Sequence, residues 1–297
     1  MLSSLKNIPP AWSNFWFKPA AFEMIRPLRF GIAVACSIWI ASFFPNVSVW
    51  FGDGGLLSHD LSSRTIAYEG FDRWQLWSPL WLAQSTTLIQ CWLVIGCLLT
   101  IAGAVGWLGR IPWGFLCLWC IAWTHRIGWL AGPTEPLMIA MTAYVTLQPG
   151  SRWNWKQRET SVNSGWTANA SLRLLQVHSW ILLAAGVLMQ LASLIWWRGE
   201  AVWWLAAADR SNSLSTATLA NRAYLVNAFT HGWILIELLA LWLLVPQSTR
   251  PLGVLLAWIS CCCIGLLADQ ACYAILLAAG FSAFWFYKEE SSPREKR

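Results

Sequence analysis

Residues Ser171 to Trp197 form one largely apolar run, SLRLLQVHSWILLAAGVLMQLASLIWW. As a helix rising about 1.5 Å per residue it measures about 40 Å, more than the roughly 30 Å of a bilayer's hydrocarbon core. A chain that carries such a run must organise itself around a membrane span. The run ends in Trp196-Trp197-Arg198-Gly199-Glu200-Ala201-Val202-Trp203-Trp204, four indoles around one Arg and one Glu. Indole rings favour the membrane–water boundary, with the apolar body inward and the N–H outward, so this stretch marks the point where the span leaves the bilayer.

The rest of the chain extends the same reading. Hydrophobic residues make up 57% of the chain and charged residues 11%, and mean hydropathy is +0.48; a soluble domain carries about 25% charge. This predicts an all-α, polytopic membrane bundle of about eight spans. The expected spans are Leu28 to Phe44, Ser85 to Val105, Ile111 to Leu130, a short run Pro133 to Leu147, Ser171 to Trp197, Asn227 to Val245, Arg250 to Ala268, and a last one ending near Phe286. The fourth run, about 15 residues broken by Pro136, spans in a tilted fashion or is re-entrant. Three regions follow: an aromatic, basic interfacial segment over 1–25, a membrane domain over 26–287, and a charged cytoplasmic tail over 288–297. The polar stretch 148–170 reads as a solvated loop, and 209–222 is rich in Ser, Thr and Asn. Gly52-Asp53-Gly54-Gly55 reads as a tight turn in which glycine supplies positive φ.

The net charge is +6, but in a membrane protein the placement of Lys and Arg matters more than the sum. With the N-terminus inside and eight spans, Lys6, Lys18, Arg26, Arg29, Arg110, Arg152, Lys156, Arg158, Arg173, Arg250, Lys288, Arg294, Lys296 and Arg297 fall on the cytoplasmic side. These are most of the 20 basic residues. Arg64, Arg73, Arg198, Arg210 and Arg222 fall opposite. Both termini are therefore expected in the cytoplasm of a cell-membrane protein, with the lipid bilayer as partner and no nucleic-acid partner.

Three patterns in order carry a family resemblance. The first is Arg29 with Phe51-Gly52-Asp53-Gly54-Gly55-Leu56; the second is Gly186-Val187-Leu188-Met189-Gln190-Leu191 followed by Trp197-Arg198-Gly199-Glu200-Ala201-Val202; the third is Glu237 with Pro246-Gln-Ser-Thr-Arg250-Pro-Leu252. Together they resemble the HTTM family, the horizontally transferred transmembrane domain related to vitamin K-dependent γ-carboxylase, over most of residues 26 to 286. The resemblance implies a helical membrane bundle. In the carboxylase a lysine of the fifth helix is taken as the base that starts vitamin K epoxidation, and Met189 stands in the matching place here. A thioether accepts no proton at any accessible pH, so the resemblance implies the family's fold without its carboxylation. Several relatives carry a His in the seventh helix, where this chain has Ser260 and three cysteines.

Among candidate catalytic residues, Glu237 comes first because it lies near the middle of a span, where a charge is costly and a functional or paired role is the default. His178 comes second: it precedes Met189 by eleven residues, which places both on one helix face. Each also has a structural alternative, as a packing carboxyl or a hydrogen-bonded core histidine. Candidate ligand-binding residues are Arg126, Glu135, Trp197, Arg198 and Trp203. In one reading Arg126 and Glu135 gather with His125, Asp53 and Arg198 into a polar mouth; in another they are ordinary interfacial residues. A lipid or quinone-like ring would stack among Trp196, Trp197, Trp203 and Trp204.

All nine cysteines lie in apolar runs and read as packing residues. Cys117 and Cys120 have a metal-like spacing without a second pair nearby, so neither a metal nor a cofactor is expected. No phosphate loop, dinucleotide-binding glycine pattern or hydrolase motif is present. Three functions remain open: a non-carboxylating membrane protein that binds a lipid, a quinone-like ligand or a protein partner; a carboxylase-like enzyme with another base; and a transporter or channel gated at Glu237.

Overall fold

The computed structural model describes residues 10–18, 26–52, 54–58, 61–62, 64, 78–83, 85–128, 131–148, 166–208 and 219–286. Among the described residues there are helices and turns and no strand. In chain order the helices are α1 (Pro10–Phe17), α2 (Arg26–Ser42), α3 (Val47–Phe51), α4 (Thr86–Val105), α5 (Ile111–Ile127), α6 (Thr134–Thr146), α7 (Trp166–Ala192), α8 (Leu194–Trp197), α9 (Ala201–Ala208), α10 (Ala223–Leu243), α11 (Arg250–Leu267) and α12 (Ala271–Phe286), with 3₁₀ turns at Phe44–Asn46 and Pro79–Leu82.

Five segments are long and apolar enough to cross a bilayer: Arg26–Phe51, Thr86–Val105, Trp166–Ala192, Ala223–Leu243 and Arg250–Leu267. Their outward faces are apolar, as Leu98, Ile101, Leu188 and Leu235 illustrate. In water such surface would be a liability, whereas in lipid it is the ordinary outer face of a span. Helices also occupy the other three expected positions, but α5, α6 and α12 have only 17, 13 and 16 residues, or about 25, 20 and 24 Å against the roughly 30 Å core.

The chain divides into two compact units, Met1–Phe22 with Arg29–Ser171 and Glu23–Leu28 with Leu172–Arg297. In the first, α4 is cleanly delimited. Ser85 Oγ caps its start by accepting from Leu88 N at 3.3 Å, and Gly106, with φ +74°, ends it in the left-handed region. Its buried stripe is Ile89, Leu93, Gly96, Thr100 and Gly103, a 4-3-4-3 spacing that keeps all five on one face. The two glycines make room for indoles of α5: a Cβ on Gly96 would lie 2.7 Å from the Trp119 ring, and one on Gly103 2.8 Å from Trp113. Lipid gives no hydrophobic drive between helices, so close small-residue packing and interhelical hydrogen bonds hold such contacts. Trp119 donates to Trp92 O at 2.9 Å, Trp113 donates to Gly103 O at 3.2 Å, and Ser37 and Thr100 share a hydrogen bond of 2.7 Å. Trp119 also lies between Trp92 and Trp123, stacked at 6.1 and 5.5 Å.

The glycine turn after α3 is tight, with Gly55 N donating to Gly52 O at 2.8 Å, but its glycines serve a different purpose from the expected one. Gly52, Gly54 and Gly55 all avoid positive φ. A Cβ on Gly52 would lie 2.5 Å from Ser48 O, and one on Gly55 2.7 Å from Trp50 O. Crowding by carbonyl oxygens therefore requires glycine at these two places. Asp53 lies outside the described residues.

In the second unit, α7 meets α12 through Gln176 Nε2 donating to Ala283 O at 2.9 Å, and α10 through Trp180 Nε1 donating to Leu241 O at 3.2 Å. The turn from α10 to α11 closes on the freed carbonyls of the helix end: Thr249 Oγ1 donates to Leu243 O at 2.9 Å and Arg250 Nε to Leu244 O at 3.3 Å, a favourable place for a cation.

Two expected boundaries move. The stretch 166–170, expected as part of a solvated loop, is the first part of α7; Ala168 and Asn169 are buried there, and Asn169 Nδ2 donates to Phe15 O at 2.8 Å. The expected single span Ser171 to Trp197 is interrupted at Ser193, whose backbone is extended at φ −98°, ψ 126°. There Trp197 Nε1 donates to Leu191 O at 2.5 Å, so an indole takes over a carbonyl that a continuous helix would use itself.

Candidate functional site

The Trp-rich exit is a locked turn. Gly199 takes φ +74°, a conformation that costs an L-residue about 1–2 kcal/mol, and a Cβ on it would lie 1.9 Å from Asn227 Nδ2. Two side chains of α10 hold the turn from below. Asn227 Nδ2 donates to Arg198 O at 3.2 Å; Thr230 Oγ1 lies 3.1 Å from Gly199 O and accepts from Val202 N at 3.2 Å. That last contact satisfies a first-turn amide of α9, one of the donors a helix start leaves without an intrahelical partner. The result separates the four indoles. Trp196 and Trp203 turn inward onto a buried cluster of Val202, Ala206, Leu219, Val226 and Trp233, with the Trp196 and Trp233 rings edge to face at 5.5 Å. Trp197 and Trp204 remain exposed, as an interfacial belt requires.

Beside this turn lies a pocket of about 390 Å³, lined by Arg198, Gly199, Glu200, Trp203, Leu219, Ala220, Ala223, Val226 and Asn227. Its volume falls within the range usual for small-ligand sites, and its make-up is also typical: an apolar wall with a few polar groups at one edge. The turn thus brings together two of the sequence candidates, Arg198 and Trp203, while Trp197 is exposed and is not among the lining residues.

The same helix face leads inward from the pocket to Glu237. Val226, Thr230, Trp233 and Glu237 follow at intervals of four, three and four residues, one stripe on α10, and Glu237 lies about 16 Å along the axis from Val226. Glu237 is buried. Its Oε1 accepts from Trp233 Nε1 at 2.9 Å and from Ser260 Oγ at 2.5 Å, and the Gln190 amide acts on the carboxyl from α7. All three neighbours are neutral. Among the described residues neither Glu237 Oε2 nor Gln190 Oε1 has a hydrogen-bond partner.

Among the remaining candidates, Arg126 and Glu135 make local contacts. Arg126 is 2% exposed; it donates to Ser62 Oγ at 2.6 Å and to Leu57 O at 2.9 Å, and its guanidinium sits 5.0 Å from the Trp81 ring and 5.6 Å from Phe51. Glu135 accepts from Gly132 N at 2.7 Å, fixing the loop that precedes α6. His125 and His178 are half-buried. Met189 is 75% exposed, so the position that the resemblance pairs with a catalytic lysine lies on the outer face of α7. No group of three or more His, Cys, Asp or Glu among the described residues has a metal-binding arrangement, and the nine cysteines are free.

Residue-type reasoning missed Gln190, Asn227, Thr230, Trp233 and Ser260. The four-three-four spacing of Val226, Thr230, Trp233 and Glu237 was a readable signal for part of this set; which helix supplies Ser260 and Gln190 was not. The chain matches no protein-family model, no curated protein and no solved structure.

Proposed function

We propose that the chain is a multi-pass membrane protein of HTTM-like type that holds a lipid or quinone-like ligand in the pocket beside the Arg198–Glu200 turn, and that it does not carboxylate. The observation that carries this reading is the pocket itself, where apolar α10 residues meet Trp203, Arg198 and Glu200 at the end of a membrane-length helix. An amphiphile has the matching division into apolar body and polar head. The outward position of Met189 supports the non-carboxylating part, since that side chain has neither a proton-accepting atom nor an enclosed cavity around it.

Occupancy is tested by purifying the full chain and identifying co-purified small molecules by mass spectrometry, alongside Val226→Trp, which fills the apolar wall. A stoichiometric amphiphile that Val226→Trp excludes supports the reading; equal content in both proteins contradicts it. The unpartnered Glu237 Oε2 favours a second reading, in which the carboxyl serves as a base toward a quinol-like hydroxyl. Turnover of reduced vitamin K by the unmodified chain, lost in Glu237→Gln, would favour that reading over the first.

A further inference from the structure

We infer that the pocket recognises a zwitterionic phospho-ammonium head group, with its phosphate on Arg198 and its ammonium between Glu200 and the Trp203 ring. This inference rests on the pocket being the ligand site proposed above, and it adds the chemistry of the head. Arg198 and Glu200 stand two residues apart on the two sides of Gly199, and both line the pocket. Both side chains are exposed, and the two do not pair with each other: Glu200 Oε2 accepts a 3.4 Å contact from Trp204 Nε1, while Arg198 is held through its backbone, its carbonyl accepting from Asn227 Nδ2 and its N–H donating to Leu194 O. The locked Gly199 turn keeps the backbone of both residues fixed, so a ligand finds the two side chains rooted at a set spacing and able to adjust their charged ends to it.

One cation and one anion at a single edge select against ligands of one sign. A phosphate suits a guanidinium, which offers a fork of donors. A purely anionic head would bring its second polar group against Glu200, whereas an ammonium placed there gains a counter-charge and the face of an indole. The apolar wall of Leu219, Ala223 and Val226 then receives the glycerol and the first part of the chains, and the exposed indoles of Trp197 and Trp204 place the turn at head-group depth.

The test presents the detergent-solubilised full chain with an equimolar mixture of phosphatidylcholine, phosphatidylethanolamine and phosphatidylglycerol and measures retained lipid by native mass spectrometry. The zwitterionic lipids should be retained over phosphatidylglycerol by about tenfold, the ratio that one favourable charge contact of about 1.4 kcal/mol produces. Glu200→Gln should remove or reverse that preference while keeping lipid bound, and Arg198→Gln should lower retention of all three. Both residues are exposed, so thermal melting of these variants should match the parent. Competition with soluble phosphocholine separates the sources of the head: displacement means that the free compound also enters, and no displacement assigns the site to the intact lipid. Equal retention of the three lipids by the parent, or an unchanged preference in Glu200→Gln, overturns the inference. If a quinone occupies the pocket instead, the head-group chemistry fails and the occupied pocket stands; if Val226→Trp changes nothing, the pocket reading itself fails.

Discussion

Arg126 and Arg198 are both arginines near the end of an apolar helical stretch, both flanked by tryptophans, and the sequence offers both as ligand contacts. The structure separates them. Arg126 is buried, with its two terminal nitrogens donating to Ser62 and the Leu57 carbonyl and its charge covered by Trp81 and Phe51. Arg198 is exposed at the rim of a pocket, fixed by its backbone and with no side-chain hydrogen bond or ion pair among the described residues. The lesson is physical: a buried cation must have its partners supplied by the fold, because leaving it bare is prohibitive, whereas a cation that the fold leaves unpaired beside an apolar hollow is available to something else.

Substitutions at the two sites should therefore differ in kind, and the largest effect belongs to Arg126. Arg126→Ala leaves the Leu57 carbonyl without its donor, while Ser62 keeps its 2.9 Å bond to Ser58 O, and opens a cavity between two aromatic rings, for a loss of about 3 kcal/mol or more; Arg198→Ala should change stability by no more than about 0.5 kcal/mol. Thermal unfolding in detergent checks both, and equal losses would dissolve the distinction. Next in size is Gly199→Ala, which strains a φ of +74° and drives a methyl into Asn227, for about 1–3 kcal/mol. The matched control is Gly186→Ala on α7, where a Cβ meets nothing within 4 Å and helix propensity favours alanine by about 0.5–1 kcal/mol.

Glu237 gives a subtler pair, read by the same melts. Glu237→Gln keeps an oxygen for Trp233 and Ser260 and should cost less than about 1 kcal/mol, while Glu237→Leu leaves Trp233 only its 3.1 Å contact to Ser260 Oγ, takes the acceptor from the Ser260 hydroxyl, and should cost about 1–3 kcal/mol. The smallest effect is expected at Met189. On the exposed face of α7, three residues before its end, a lysine can extend its amine toward the interface, so Met189→Lys should express normally and still carboxylate no glutamyl peptide.

Much of the architecture was legible because it rests on local signals. Apolar runs placed a helix at every expected span, with ends close to those observed, because a run of apolar residues is a signal that short stretches contain. What sequence could not supply was direction. Four indoles within nine positions predict an interface; only Asn227 and Thr230, contributed by another helix, decide that Trp196 and Trp203 turn inward while Trp197 and Trp204 turn out. The break at Ser193 depends on Trp197 reaching back to Leu191, a choice of rotamer that no periodicity reports. At Arg126 and Glu135 residue type likewise shows a charge but not the contacts with Ser62, Leu57 and Gly132 that the fold supplies.

The central claim, that the Arg198–Glu200 turn marks a ligand site, is tested most directly by photo-crosslinking. A phosphatidylcholine with a photoreactive group near its head is reconstituted with the full chain in nanodiscs, irradiated, and the labelled peptides are mapped. Label concentrated on 198–204 and 219–227, and reduced in Arg198→Gln, is the expected result. Label spread evenly over the exposed apolar faces of α4, α7 and α10, unchanged by that substitution, would contradict it.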